Sequence, residues 1–206
     1  TYIGWVVNLM KAEPSIIIIP ERRGGGNILM DGIIIGLISE NINPLTRIYN
    51  TIVDSEGWMD DVNDVYRQSP QWWNTQIMNK VKQACGYATS GSGQHSRQNL
   101  YGNTLIRAAE LSCEYVNDER LIREILGLVS RNGRVDHAIG NHDDLVISWL
   151  LAFWMLLFSR NLSFYGITYP LRDAVEWDSN GSGKPTTEKE RWESDYTLQL
   201  RAEFED

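Results

Sequence analysis

The sequence predicts an α/β fold, and three of its features carry that prediction. Residues 2–11 place apolar side chains at the spacing of an amphipathic helix. Residues 15–19 form a short isoleucine run that is typical of a strand buried on both faces. Pro20 and Glu21 end this strand, and a glycine-rich turn leads into another apolar segment of helical length at residues 28–42. A helix, a buried strand, a turn and a helix in this order open a layered α/β domain.

The later elements follow from the same patterns. A short strand is expected near residues 47–53, and helices are expected at residues 72–85 and 100–116. Residues 118–128 continue as helix or strand, and residues 130–134 contain an Asn-Gly pair that predicts a tight hairpin turn. Residues 141–160 form the last core helix. Its apolar run at residues 145–158 is too short to cross a bilayer comfortably, so no membrane partner is expected.

The net charge of −8 is distributed unevenly along the chain. Residues 173–206 hold ten acidic and four basic residues, which leaves a net charge of −2 for the first 172 residues. A body that is nearly neutral can still carry a local basic face for DNA. We therefore divide the chain into a domain at residues 1–172 and an acidic linker or tail at residues 173–206.

Two familiar kinds of site are excluded by their spacing. Cys85 and Cys113 lie far apart and lack the pattern of a zinc site or a disulfide scaffold. The GSGK sequence at residues 181–184 lacks the first glycine of a phosphate-binding loop, and Pro185 stands where a Ser or Thr would hold Mg²⁺. An ATPase within this chain is therefore not expected.

Two groups of acidic residues are candidates for metal chemistry. Glu21 follows the predicted central strand, at the end where α/β folds place their sites. Taken alone, it is better explained as the partner of Arg22 or Arg23 in a surface turn. Asp143 and Asp144, after His142, open an otherwise apolar helix. They favour a helix start through the exposed N–H groups, and they could also hold a hard divalent cation.

The order of these segments resembles the nuclease domain of the large terminase subunits of tailed bacteriophages. The resemblance covers about residues 2–160, and its blocks are YIGWVVNLM, IIIIPERRGGGNILMDGII, GYATSG, SRQNLYGNTLIRAAELSCEYV, DERLIREILGLV and GNHDDLVISWLLAFWML. In that family an apolar strand ends in a metal-binding Glu, and a motif of the HDD type opens the last core helix.

The resemblance implies an RNase H-like fold, with a central mixed β-sheet flanked by helices, and a metal-dependent endonuclease. Three acids of that family bind two ions, expected to be Mg²⁺ or Mn²⁺, that activate water and stabilise the leaving oxygen. Glu21 matches the second acid, and Asp143 or Asp144 matches the third, with His142 expected to support them. A slip of one residue turns a ligand by about 100° around a helix, so the two aspartates stay open.

The family's first acidic ligand lies on a strand well upstream of the strand that ends in Glu. No Asp precedes Glu21 in this sequence, so we expect an N-terminally truncated nuclease domain with impaired cutting. The substrate implied is concatemeric double-stranded DNA, cut during genome packaging in the host cytoplasm. The partners implied are the terminase ATPase domain of the same full-length chain, the portal and the small terminase.

Three arginines are expected to contact DNA phosphates, which supply most of the affinity of proteins for DNA. They are Arg22, Arg97 and Arg107. Two alternatives to the terminase hypothesis remain. One is another RNase H-like nuclease, of the resolvase or transposase type. The other is a non-catalytic module that docks onto DNA or onto a packaging partner.

Overall fold

Helices make up most of the chain that the computed structural model describes. The described residues are 1–22, 26–55, 69–89, 96–131, 134–138, 140 and 142–168. The acidic segment at residues 173–206 lies outside them. The α-helices are α1 (Tyr2–Ala12), α2 (Gly26–Ser39), α3 (Thr75–Ala84), α4 (Arg97–Ser112), α5 (Glu119–Leu126) and α6 (Asp144–Phe158). The strands are β1 (Leu128–Arg131) and β2 (Arg134–His137).

The apolar core consists of two clusters of buried side chains. One cluster combines the buried faces of α1, α2 and α3, with Met10, Ile34 and Val81 fully buried. The other combines α4 with the apolar helix α6, around Leu100 and Leu150. Because α6 buries seven of its residues, it is the central support of the second cluster.

Helices α1 and α2 approach each other closely because glycines face the contact. A Cβ atom added to Gly36 would lie 2.7 Å from Cγ2 of Val7, which is closer than carbon atoms pack. Val7 on α1 therefore reaches the backbone of α2 at Gly36 without an intervening side chain. The small residue permits this packing at the cost of some helix propensity.

Three extended segments, at residues 16–21, 47–50 and 85–89, run between the two clusters. The first contains the isoleucine run, in which Ile17 and Ile19 pack against the α4–α6 cluster while Ile16 and Ile18 pack against the α1–α3 cluster. This alternation is the period of an extended chain with both faces covered. The isoleucine run is thus extended and lies between layers, as its composition indicates.

The predicted central mixed β-sheet is wrong, and with it the RNase H-like α/β fold class. The three extended segments are joined only by isolated bridges, which pair Ile18 with Ile48, Glu21 with Tyr87 and Asn50 with Cys85. The sheet found among the described residues is the antiparallel pair of β1 and β2. The chain is mainly helical, and its two four-residue strands form a hairpin at one side.

The bridges do not extend into a ladder for local reasons. Pro20 has no N–H to donate, so the first segment is interrupted after Ile18. The third segment starts only where α3 ends at Ala84, and Gly86 adopts a positive φ of 86° within it. Each segment therefore offers too few consecutive donors and acceptors for a strand.

The predicted helices and the predicted hairpin are confirmed, unlike the sheet. Helices are confirmed at residues 2–11, 28–42, 72–85, 100–116 and 141–160, with bounds shifted by a few residues. The segment at residues 118–128 is helical as α5, followed directly by β1. The hairpin is confirmed by the pairing of Arg131 with Arg134, while its two turn residues lie outside the described chain.

None of the helices in the described residues combines the length and the apolar character that a membrane crossing requires.

Gly86 is a buried position that has no room for a side chain. A Cβ atom there would lie 2.9 Å from the Pro20 carbonyl oxygen and 2.8 Å from Cγ of Arg22. Together with the positive φ, this clash is expected to make Gly86→Ala destabilising by about 2 kcal/mol or more, measured by urea unfolding.

Gly102→Ala is the matched control for this change. Gly102 lies inside α4, and a Cβ atom there would have nothing within 4 Å. We expect this variant to be more stable by about 0.5–1 kcal/mol because alanine is the better helix former. Equal effects of the two substitutions would contradict the strain assigned to Gly86.

Candidate metal centre

Asp143 is a buried carboxylate at the start of α6. Only 4% of the residue is exposed. Its Oδ2 accepts a hydrogen bond of 2.5 Å from the hydroxyl of Tyr101 and a second one from the guanidinium of Arg97. Arg97 and Tyr101 lie one turn apart on α4, so a single face of that helix supplies both donors.

The hairpin brings two further ligand-type side chains to the same place. His137, the last residue of β2, places Nδ1 3.5 Å from Oδ1 of Asp143 and 3.0 Å from Oδ1 of Asp136. One ligand atom from each of these three residues lies within 4.8 Å of the others. We call Asp136, His137 and Asp143 the Asp–His–Asp cluster.

Arg97 contacts every member of the Asp–His–Asp cluster. Its Nη2 atom lies 3.3 Å from Oδ1 of Asp136 and 3.4 Å from Nδ1 of His137, in addition to its contact with Asp143. The Arg97 side chain is 23% exposed, and that of Asp143 is 6% exposed. The ion pair between them is therefore largely withdrawn from water, where a carboxylate without a partner would be costly.

The surroundings of Asp143 favour its ionised form. Burial by itself raises the pKa of this carboxyl group, but the hydrogen bond from Tyr101 and the positive charge of Arg97 more than offset burial. The net result is a pKa below the ordinary aspartate value. For Tyr101, burial and then the hydrogen bond to Asp143 raise the pKa, so its hydroxyl remains a donor.

The carboxylate of Asp143 is not used to cap α6. Asp143 occupies the N-cap position, yet its side chain accepts no hydrogen bond from the first turn of the helix. Glu124 of α5 caps the helix instead, because its Oε2 accepts hydrogen bonds from the N–H groups of Leu145 and Val146, at 2.9 and 3.2 Å. Helix capping therefore does not account for Asp143, and its carboxylate is directed at the cluster.

Glu21 lies close to this network but outside the Asp–His–Asp cluster. Its Oε1 accepts a hydrogen bond from the hydroxyl of Thr89, and its backbone forms the bridge to Tyr87. The carbonyl of Thr89 in turn accepts a hydrogen bond of 3.3 Å from the N–H of Arg97. Thr89 thus connects the predicted second acid to the backbone of Arg97, the residue whose guanidinium holds Asp143.

The other predicted residues are placed differently from the buried aspartate. Asp144 and His142 are both exposed, and Asp144 is the first helical residue of α6. Arg22 donates to the carbonyl of Gln83. The guanidinium of Arg107 lies 5.2 Å from the ring centre of Phe158, and burial lowers its pKa. Whether these arginines contact DNA stays a prediction.

Sequence reasoning missed four residues of this network. Asp136 and His137 precede the HDD block by only a few residues, and their spacing matches no metal-binding motif. Tyr101 and Glu124 lie in the quoted blocks, but nothing in their local sequence indicates a contact with α6. The adjacent Asp-His pair just after a predicted hairpin turn was the one usable signal.

Comparison with protein-family models, with curated proteins and with solved structures found no match. The chemistry of the site is therefore inferred from its own side chains.

The Asp–His–Asp cluster has the donor chemistry of a divalent cation site. Carboxylate oxygens suit hard cations, and an imidazole nitrogen suits transition metals. Neighbouring ligands around an octahedral ion with bonds near 2.1 Å lie about 3.0 Å apart. The separations of 3.0 and 3.5 Å from His137 Nδ1 to the two carboxylates are close to that value. The donor atoms of the three residues therefore suit such an ion.

Asp143→Asn is expected to destabilise the chain by about 2 kcal/mol at neutral pH, because it leaves Arg97 without its buried partner. A carboxyl group with a lowered pKa in the folded chain stabilises above its unfolded pKa. That contribution is lost as the pH falls through the folded pKa. The stability difference between the wild-type chain and Asp143→Asn should therefore shrink below about pH 4.

Urea unfolding at several pH values measures this difference, and Asp144→Asn is the control. It removes the same charge from the exposed neighbouring position and is expected to cost much less at neutral pH. A loss for Asp143→Asn that stays constant down to pH 2 would contradict the ionised, paired state of Asp143.

Proposed function

We propose that this chain is the metal-dependent endonuclease part of a bacteriophage large terminase, with Asp143 as a metal ligand. One observation carries the proposal. Asp143 of the HDD block is buried at the start of α6, where Asp136 and His137 lie next to it. The order of the sequence blocks adds the terminase assignment, and double-stranded DNA follows as the substrate.

Asp136, His137 and Asp143 are the residues that would hold the cation. A divalent cation bound there would supply activated water and stabilise the leaving oxygen of a phosphodiester. The imidazole in the ligand set favours Mn²⁺ over Mg²⁺, because Mg²⁺ prefers oxygen ligands alone. This ligand set is mixed, whereas the resemblance implied acids only.

The remaining residues of the network orient these ligands. Tyr101 fixes Oδ2 of Asp143 by its hydrogen bond, and Glu124 holds the first turn of α6 in place. Glu21 is proposed to hold a second ion, on the strength of its link through Thr89 and Arg97 to Asp143. Asp144, which is exposed, is the weaker candidate for the third acid.

The partners follow from the proposed function. They are the terminase ATPase domain of the same full-length chain, the portal and the small terminase, and the reaction belongs to DNA packaging in the host cytoplasm. The cut is expected to separate one genome from a concatemer with little sequence preference.

The proposal predicts metal-dependent cutting of plasmid DNA that requires Asp143. The family resemblance includes a first acid on an upstream strand. The assay therefore uses this chain and, as the terminase hypothesis implies, a version extended upstream by about 60 residues, enough for the strands concerned. We expect the longer version to nick and linearise plasmid with Mn²⁺. Asp143→Asn and Glu21→Gln should each reduce cutting by at least about 100-fold, since each removes a metal ligand.

Asp144→Asn is the matched control in the same assay, and it should retain most of the activity. If Asp144→Asn abolishes cutting while Asp143→Asn does not, the ligand has been assigned to the wrong aspartate. If folded longer protein binds DNA yet does not cut with either metal, the nuclease proposal fails. The chain would then be better described as a docking module.

A further inference from the structure

One nitrogen atom of Arg97 lies among the three side chains of the Asp–His–Asp cluster. Nη2 is within 3.4 Å of a ligand atom of Asp136 and of His137, and it contacts Oδ2 of Asp143. These are the same three residues that present one ligand atom each within 4.8 Å. The guanidinium is thus surrounded by the oxygen and nitrogen atoms that would coordinate a cation.

Electrostatics explains why some positive charge must be present there. The carboxylates of Asp136 and Asp143 each place an oxygen within 3.0 and 3.5 Å of the same imidazole nitrogen, so two negative charges meet at one place. Asp143 is buried, so water screens their repulsion only on the side of the exposed Asp136. The guanidinium supplies the compensating charge within the chain itself.

We propose that Arg97 is an internal competitor of the metal, which fills the cation position in the metal-free chain and leaves it when the metal binds. A guanidinium nitrogen and a divalent ion cannot share one set of ligand atoms at bonding distance. The inference rests on the metal site of the proposed function, but it does not require that the chain cuts DNA.

The way in which Arg97 is held is consistent with release. It is the first residue of α4, and about a quarter of its side chain is already exposed. Its Nε atom is buried and has no hydrogen-bond partner within the described part of the chain. A buried donor without a partner carries a desolvation cost, which release of the side chain to solvent removes.

The competition predicts that Arg97→Gln binds metal more tightly than the wild-type chain. Glutamine keeps a polar side chain of moderate length but cannot act as a cation. Removing the charge-assisted contacts that the metal must otherwise displace should increase Mn²⁺ affinity by about tenfold or more. The measurement is titration of the chain with Mn²⁺ alone, by calorimetry and by the loss of the free-ion electron paramagnetic resonance signal.

Arg123→Gln is the matched control for the change in net charge. Arg123 lies on the exposed side of α5, paired with Glu119 and away from the cluster. Its loss lowers the overall charge by the same amount, so it should leave Mn²⁺ affinity nearly unchanged. Equal affinities of Arg97→Gln and Arg123→Gln would overturn the competition, as would weaker binding by Arg97→Gln.

A second measurement needs no variant and so holds even if Arg97→Gln folds poorly. In the wild-type chain with ¹⁵N-labelled arginine, saturating Mg²⁺ should shift the guanidinium resonances of Arg97 and speed their exchange with water. Arg123 serves as the internal reference. Arg97 resonances that stay unchanged while the metal is bound would overturn the proposal.

The outcomes separate this inference from the nuclease. Tighter Mn²⁺ binding by Arg97→Gln, without DNA cutting by any version, keeps the inference and removes the proposed function. Cutting that depends on Asp143, with no gain in Mn²⁺ affinity for Arg97→Gln, keeps the proposed function and removes the inference. Failure of both forms to bind Mn²⁺ overturns the inference together with the metal site.

Discussion

The need to compensate one buried negative charge organises the part of the molecule around α4, the hairpin and α6. Asp143 is nearly inaccessible, and an isolated carboxylate in such a place would be destabilising. Arg97 and Tyr101 from α4 and the hairpin residue His137 all converge on it. The relative placement of α4, the hairpin and α6 is therefore fixed by polar contacts at one end and by apolar packing along the length of α6.

Local sequence predicted the helices but not how the central segments pair. Helix signals are contained within a few turns, so periodicity locates α1, α2 and α6 well. The isoleucine run was correctly expected to be extended and covered on both faces. A strand also needs consecutive partners on its neighbours, and those partners depend on Pro20, on the end of α3 and on the positive φ of Gly86. None of these is visible in the periodicity of the run itself.

The candidate site was predictable only where its chemistry and its sequence coincide. Asp143 opens an apolar helix beside a second aspartate, and that contrast between polar and apolar residues predicts an acidic site there. Burial then distinguishes Asp143 from Asp144, which sequence could not do. Asp136 and His137 reach the site through a hairpin whose direction is a tertiary property. The contact of Arg97 with DNA stays a prediction, and the contact of its guanidinium with the cluster was not expected from the sequence.

The cap that Glu124 provides for α6 has a consequence for how this sequence can vary. An N-cap aspartate ordinarily gives its carboxylate to the first turn, and here a residue on another helix does that instead. Positions 124 and 143 are thereby coupled. A natural variant that loses the acid at position 124 gains stability if the side chain at position 143 turns back to cap its own helix, and that turn withdraws the carboxylate from the Asp–His–Asp cluster. We therefore expect natural substitutions at positions 124 and 143 to occur together, because the cap of α6 and the Asp–His–Asp cluster both depend on them.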